Sequence, residues 1–333
     1  AYARNAGRPD GRRVMNAQLA PVAPEQPDRR CFIGGSDVAA VLGISPWRTP
    51  LQLWEAKTRP ALEGPEPKKR VFTRGHRWES VVAEMLVEHL QSRGHKVEIV
   101  GRNQRYIDPE RPYLAAEIDF ELRLDDEPEI TNVELKTVHP FKVHEWGDED
   151  TDESPVWYTA QGMHGLGVTP GNRKRCIVAP LFGADEIRAY PIERDDETIA
   201  AMRARCAAFW NLVQTGVRPD PTNLADLDRL YQGDPVAPSL IADDELTRAV
   251  LRLRAIQSEI KARESEANVI EFDVKRAMKD ATELVIPNDD KKVAVVWKNR
   301  DFSWFDQSAL KEDDAKTHRR YQRKTTSRVF TVK

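Results

Sequence analysis

Residues 118–124 and 131–138 are two β-prone runs joined by the turn-forming stretch Asp125–Glu129, which commits the middle of the chain to an antiparallel hairpin. The hairpin carries charge where a sheet should be apolar. Asp119 lies in the first strand. The returning strand holds Glu134-Leu135-Lys136, whose alternation puts the Glu and Lys side chains on one face and Leu135 on the other. An isolated buried charge costs several kcal/mol, so such groups survive in a sheet by pairing with one another or by binding a cation. A surface strand of alternating charges would leave the same pattern, and the surroundings must decide.

Those surroundings are helical. Trp78, Val81, Val82, Met85, Leu86 and Leu90 recur at helical spacing over residues 76–91, with Gly94 as the stop. The stripe centres on Trp78, Val82 and Met85, and Glu79 falls at its edge, where a carboxylate either reaches the sheet or turns out to solvent. Upstream, Val38–Leu42 reads as a short helix capped by Ser36 and ended by Gly43. A second helix starts at Thr49-Pro50 and runs to about Lys57. The proline-rich stretch Arg59–Pro67 reads as a loop. Strands are expected at 97–107, 175–181 and 186–191, and helices at 156–167 and 195–215. Helices flanking a mixed sheet make an α/β fold.

The pattern breaks after residue 218 in a Pro- and Asp-rich stretch. Beyond it Leu246, Leu253, Ile260, Ala267 and Val274 fall seven apart, as do Ala249, Ile256, Arg263, Ile270 and Ala277. This heptad suits a long helix docked on its own domain or an intermolecular coiled coil. Strands at 283–286, 293–298 and 328–332 would add a small β-rich extension. The expected organisation is a disordered lead-in over 1–28, a first domain over 29–218, a linker over 219–245 and a C-terminal extension over 246–333.

No apolar run approaches the roughly 20 residues of a membrane-spanning helix, so no membrane partner is expected. Cys31, Cys176 and Cys206 are widely spaced and odd in number, which suits a reducing cytoplasm better than a disulfide framework. His139, His144 and His164 lack zinc spacing with matching cysteines. A net charge of -3 does not announce a nucleic-acid binder. Positive charge is local: Lys68, Lys69, Arg70, Arg74 and Arg77 form one group. Lys316 to Arg328, with Arg319, Arg320, Arg323 and Lys324, forms another that contains no acid.

Phosphodiester hydrolysis uses the inventory of the hairpin. Asp119 and Glu134 offer hard oxygens for Mg²⁺, or Mn²⁺ in its place, with the carbonyl of Leu135 as a further ligand. Lys136 can position water and offset charge on phosphorus. Glu79 is a candidate for the metal shell.

Four blocks resemble the YqaJ-type viral recombinase family, relatives of phage lambda exonuclease within the PD-(D/E)xK nucleases. They are Ile33-Gly34-Gly35-Ser36-Asp37 with Leu42-Gly43-Ile44-Ser45-Pro46-Trp47; Arg74-Gly75-His76-Arg77-Trp78-Glu79; Asp119 with Glu134-Leu135-Lys136-Thr137; and Trp157-Tyr158-Thr159-Ala160-Gln161. The resemblance implies a restriction-endonuclease-like mixed central sheet flanked by helices. It also implies a metal-dependent exonuclease that digests one strand of duplex DNA from its 5′ end in the cytoplasm of a bacterial host. The 3′ single strands left would go to a phage annealing protein. It makes Asp119, Glu134 and Lys136 the catalytic core, with Glu79 in the metal shell and Gln161 beside it. Ser36 and Arg29, or its neighbour Arg30, would bind a 5′-phosphate, and Arg74, Arg77 and Tyr158 would contact DNA. By analogy the chain is a homo-oligomer, a trimer. The same chemistry would serve an endonuclease or nickase, and a DNA-binding scaffold is the non-enzymatic alternative. The acidic run Glu145–Glu153 departs from a DNA-facing loop and is expected to face away or to move.

Overall fold

The computed structural model describes residues 28–59, 69–171, 173–231, 233–234, 236–287, 293–324 and 328–332, with the backbone alone over 69–77. The expected lead-in, except Asp28, and nearly all of the 59–67 loop lie outside them. The chain forms two compact units that divide between Leu227 and Asp228. The first unit runs past the expected end at 218 because Asp226, in α6 (Leu224–Leu230), is buried and accepts a hydrogen bond from Thr49 Oγ1 at 2.8 Å.

A six-stranded mixed sheet organises the first unit, in the order β1 (Val97–Ile107), β2 (Ala115–Leu124), β3 (Thr131–Val138), β4 (Arg175–Phe182) and β5 (Glu186–Ile187), with β6 (Tyr190–Glu193) also paired to β4. Strands β1 to β3 are antiparallel, whereas β3 and β4 run parallel over the whole of β3. A parallel step needs a crossover, supplied here by helix α4 (Val156–Val168).

The two faces of the sheet differ. Helix α3 (Lys69–Ser92) covers one, packing Ala83, Leu86 and Leu90 on Phe120, Leu122, Leu124 and Val133. This buried stripe lies to one side of the expected one. Val82, Leu86 and Leu90 are buried, but Trp78, expected at its centre, is 37% exposed. Helix α4 covers the other face, backed by α1 (Gly35–Val41), α2 (Pro50–Thr58) and α5 (Asp196–Thr215). Glycines let α4 sit low. A Cβ on Gly165 would stand 3.1 Å from Ile118 Cδ1, one on Gly162 3.1 Å from Cys176 Sγ, and one on Gly167 2.9 Å from Ile199 Cγ2.

Of the local helix signals near the N-terminus, only Ser36 means something different in the fold. Thr49 caps α2 through a reciprocal box with Gln52, as the Thr-Pro start predicts. Ser36, expected to cap α1, lies inside that helix, and Gly34 occupies the N-cap with its N–H donating to Asp37 Oδ2 at 3.2 Å. Gly43 ends the helix with φ +75°, a backbone state that a side chain resists.

In the second unit, helix α7 runs from Asp244 to Met278 and buries Met278 alone. The C-terminal part of its heptad seam, Ala267, Ile270 and Val274, borders a groove with Val295, Val296 and Trp297, and Ile270 stays exposed, as do Leu246, Ile256 and Ile260. The small extension is less β-rich than expected. It holds the two-residue strands β7 (Glu283–Leu284) and β8 (Val295–Val296), and the stretch 328–332 is not a strand. Helices α8 (Gln307–Asp313) and α9 (Ala315–Tyr321), which Asp306 and Asp314 cap, take its place. No helix among the described residues is long and apolar enough to cross a membrane.

Candidate active site

The hairpin comes apart where its charges lie. Strands β2 and β3 pair only at Phe120–Val133, Glu121–Asn132 and Leu122–Thr131, so Asp119 and Glu134 are the first residues past the fork. Beyond it β3 stays with β4. Ile118 packs in the α4-side core and Phe120 in the α3-side core, so β2 changes faces at Asp119. The carboxylate bridges the gap, with Oδ2 accepting from Leu135 N–H at 2.8 Å.

Glu134, 8% exposed, points to the α4 side. Its Oε1 accepts from Lys136 Nζ and from Gln161 Nε2, the latter at 2.5 Å. The Lys136 ammonium also lies 5.1 Å from the centre of the Tyr158 ring, so Tyr158 and Gln161, one turn apart on α4, address the same Lys–Glu pair. Trp146 supports Tyr158 from behind, stacked at 5.5 Å.

Charge is unbalanced at the fork. Burial and then the Glu134 charge push the Asp119 carboxyl well above its ordinary range, with Glu79 adding to the effect. Burial alone would lower Lys136, but Glu134 and Asp119 outweigh it and raise the ammonium's pKa. Two carboxyls therefore share one amine. Asp119 Oδ1 and Glu134 Oε2 take no hydrogen bond from any described residue, which leaves two hard oxygens at one place. That donor set fits a divalent cation such as Mg²⁺. Among the described residues no three His, Cys, Asp or Glu side chains gather in one group, so a cation would complete its shell with backbone oxygen or water.

Asp119 and Glu134 wall one side of a cavity of about 120 Å³. Arg29, Phe32, Gly34, Gly35 and Ser36 wall another, and Gln161 lies between. Arg29 Nη2 donates to Ser36 Oγ at 2.8 Å, whereas Arg30 is held by Asp28 and turned to other work. The two arginines, equivalent in sequence, are thus distinguished. Gly35 is the price of closeness, because a Cβ there would stand 3.1 Å from Gln161 Cγ.

Behind Arg29 lies a network that the sequence did not reveal. Asp37, 2% exposed, pairs with Lys57 at 2.7 Å, Arg48 at 2.6 Å and Arg29 at 3.4 Å. Burial would raise its pKa, but Lys57, Arg29 and Arg48 together hold it low. Lys57 Nζ also donates to the carbonyls of Arg29 and Phe32, both at 2.5 Å, which uses all three of its protons. The amine on α2 thereby fixes the backbone that carries Arg29. No spacing signals this arrangement, since its partners lie 20 to 28 residues apart.

The other expected residues are placed less centrally. Glu79 is half-buried on α3 and acts on Asp119 through its charge, without walling the cavity. The side chains of Arg74 and Arg77 lie outside the described residues. The acidic run is anchored to the end of α3, where Arg93 pairs with Asp150 and, at 3.3 Å, with Glu149.

Residues 26–172 match the model of the YqaJ-like viral recombinase domain. The uncharacterised protein YqaJ of Bacillus subtilis (strain 168) is 27% identical over 312 residues, 92% of each chain. Among solved structures, LHK-Exo, an alkaline exonuclease from Laribacter hongkongensis, in complex with dAMP is 18% identical, with a TM-score of 0.41 over 61% of this chain and 94% of that one. A phage related exonuclease from Haemophilus somnus 129PT is 12% identical, with a TM-score of 0.39 over 56% of this chain and 95% of that one. All four motif blocks fall inside the segment that matches the YqaJ-like viral recombinase domain.

Proposed function

We propose that the chain is a Mg²⁺-dependent exonuclease that digests duplex DNA from the 5′ end and leaves a 3′ single strand. The observation that carries this reading is one cavity with an acidic wall, Asp119 and Glu134, and a cationic one, Arg29 with Ser36. A phosphate held by the guanidinium fork and the hydroxyl would lie beside the two carboxylates, as attack near a strand end requires. An enzyme that cuts within a strand has no use for a terminal phosphate site.

Asp119 and Glu134 hold the cation in this reading, and the carbonyl of Leu135 is proposed to join them, with Glu79 in the outer shell. The cation supplies Lewis-acid polarisation of the phosphate and lowers the pKa of water. Lys136, kept charged by its carboxylate neighbours, orients the attacking water and offsets negative charge as it builds on phosphorus. Gln161 holds Glu134 in one rotamer, and Tyr158 fixes the ammonium from its open side. The closed Asp37–Lys57 network keeps Arg29 in place before DNA arrives, so little order has to be gained on binding. Arg74 and Arg77 would contact the duplex backbone, and an annealing protein would receive the single strand. A trimer is the expected assembly.

The test is a time course on end-labelled linear DNA and on covalently closed circles, with Mg²⁺ or with EDTA. Linear DNA should be digested and circles left intact, in Mg²⁺ only. Cutting of circles would replace the reading with an endonuclease. A 5′-phosphate should be preferred over a 5′-hydroxyl, and Arg29→Ala should remove the preference.

A further inference from the structure

The chain has a second cationic surface, far along the sequence from the cavity. From Ala315 to the last residue there are seven Lys or Arg and no Asp or Glu, in a protein whose net charge is -3. Structure turns this composition into a face. Lys316, Arg319 and Arg320 lie on α9 at spacings of three and four, and Arg323 follows just past the end of the helix. All four are exposed, while Thr317 and His318 between them are half-buried where α9 packs on α8. None of the four has a carboxylate within ion-pair distance among the described residues, although α8 ends in Glu312 and Asp313. Neighbouring cations without an ion-pair partner repel one another, and a polyanion would relieve that.

Exposed aromatic rings lie close to the cations along the chain, and Arg320 stacks over the Tyr321 ring at 5.6 Å. Phe302, Trp304 and Phe305, just before α8, are 81%, 71% and 67% exposed, and Tyr321, at the end of α9, is 68% exposed. Protein surfaces do not usually leave four large rings uncovered within 20 residues, and exposed rings in the same stretch of chain as unpaired lysine and arginine suit one class of ligand. Unpaired bases stack on such rings, while the cations follow the phosphates. Base pairs of a duplex are already stacked and offer the rings nothing.

We propose that the surface formed by α9, Arg323 and the Phe302–Phe305 segment binds single-stranded DNA. The inference rests on the nuclease reading for the source of the ligand, which is the strand left undigested. Binding itself does not depend on cleavage.

The experiment measures binding of a labelled oligo(dT) of about 30 nucleotides to the full chain in EDTA, by fluorescence anisotropy over a range of salt. Two variants are compared with the parent: Arg319→Ala/Arg320→Ala/Arg323→Ala and Trp304→Ala. The substituted groups are exposed, and circular dichroism checks the fold. The triple variant should bind at least about tenfold more weakly, and its log K against log salt should be shallower by about 2, at roughly 0.7 per lost phosphate contact. Trp304→Ala should lose about five- to a hundredfold in affinity with its salt slope kept. Digestion of a short blunt duplex by both variants should stay at the parent rate. Unchanged oligo(dT) affinity in the triple variant overturns the proposal. So does an equal loss on duplex DNA, or competition by polyglutamate as strong as by oligo(dT), which would point to an acidic protein. Loss of cleavage in the parent with oligo(dT) binding intact would instead sink the nuclease reading and leave this one standing.

Discussion

Two buried acidic clusters lie on the α4 side of the same sheet, and they are built to opposite rules. Glu121 accepts from Arg173 Nη2 and from Tyr106 Oη, both at 2.7 Å, and Arg173 also donates to the Tyr106 oxygen at 3.0 Å. One acid meets one cation and a hydroxyl, so the charge of the cluster is balanced. Two residues away, Asp119 and Glu134 share a single amine and border a cavity. A neutralised cluster is a structural joint. An under-neutralised one beside a cavity is a place for a cation, and the contrast separates chemistry from architecture among residues of the same type.

The largest effect should come from the open cluster. Glu134→Gln removes a proposed cation ligand worth several kcal/mol to the reaction, so cleavage should fall by about 10³-fold or more. Thermal stability should hold or rise, because the substitution removes excess charge. Mg²⁺ at ten times its Kd should stabilise the parent by about 1.4 kcal/mol and the variant by much less, as read by thermal shift. A variant that cuts DNA at the parent rate would erase the distinction.

The balanced cluster should respond in the opposite sense. Arg173→Met leaves Glu121 buried without its cation and should cost about 3–5 kcal/mol in urea unfolding. The fraction that remains folded should cleave normally. A loss of cleavage without a loss of stability would show that Glu121 and Arg173 belong to the site.

Gly35→Ala sharpens the comparison from inside the cavity of the open cluster. The new Cβ pushes on Gln161 and so displaces the donor to Glu134 Oε1. Turnover should fall by about ten- to a hundredfold, with unfolding free energy changed little.

The smallest effect is a pH dependence away from both clusters. His164 Nε2–H donates to the Ala115 carbonyl at 3.0 Å, and burial holds its pKa below the ordinary 6.5. The unfolded chain therefore takes up a proton at a higher pH than the native one. Stability from the neutral ring is complete above pH 6.5 and is lost as pH falls below it. His164→Gln should flatten that slope by up to about 1.4 kcal/mol per pH unit, as measured by denaturant titration between pH 7 and 5.

What could be read in the sequence was what neighbours along the chain decide. Glu134 and Lys136 alternate with Leu135 and do share a face, and Thr49 caps its helix with the Gln three residues on. Tyr158 and Gln161, three residues apart in a helical stretch, do meet the same Lys–Glu pair. What could not be read was decided by distant segments. The fork at Asp119 exists because β4, some 40 residues on, takes β3 as its parallel partner. Ser36 looked like a cap because serine often is one, but the carboxylate of Asp37 already serves Gly34 and three cations. Trp78 was placed in the core by its hydrophobicity, and the buried stripe of α3 turned out to pass beside it. Helices α8 and α9 carry almost no apolar period to announce them, and their aspartate caps were legible only in hindsight.

The low seating of α4 has a thermodynamic consequence. Each glycine in its interior costs about 1 kcal/mol of helix stability relative to alanine, and three lie between Gly162 and Gly167. Such a segment has little tendency to stay coiled once it leaves the surface beneath it. Tyr158 and Gln161 are therefore in register with their partners only while that surface is intact. Warming or denaturant should abolish the proposed chemistry in the same transition that releases the core, with no partly unfolded species that still digests DNA.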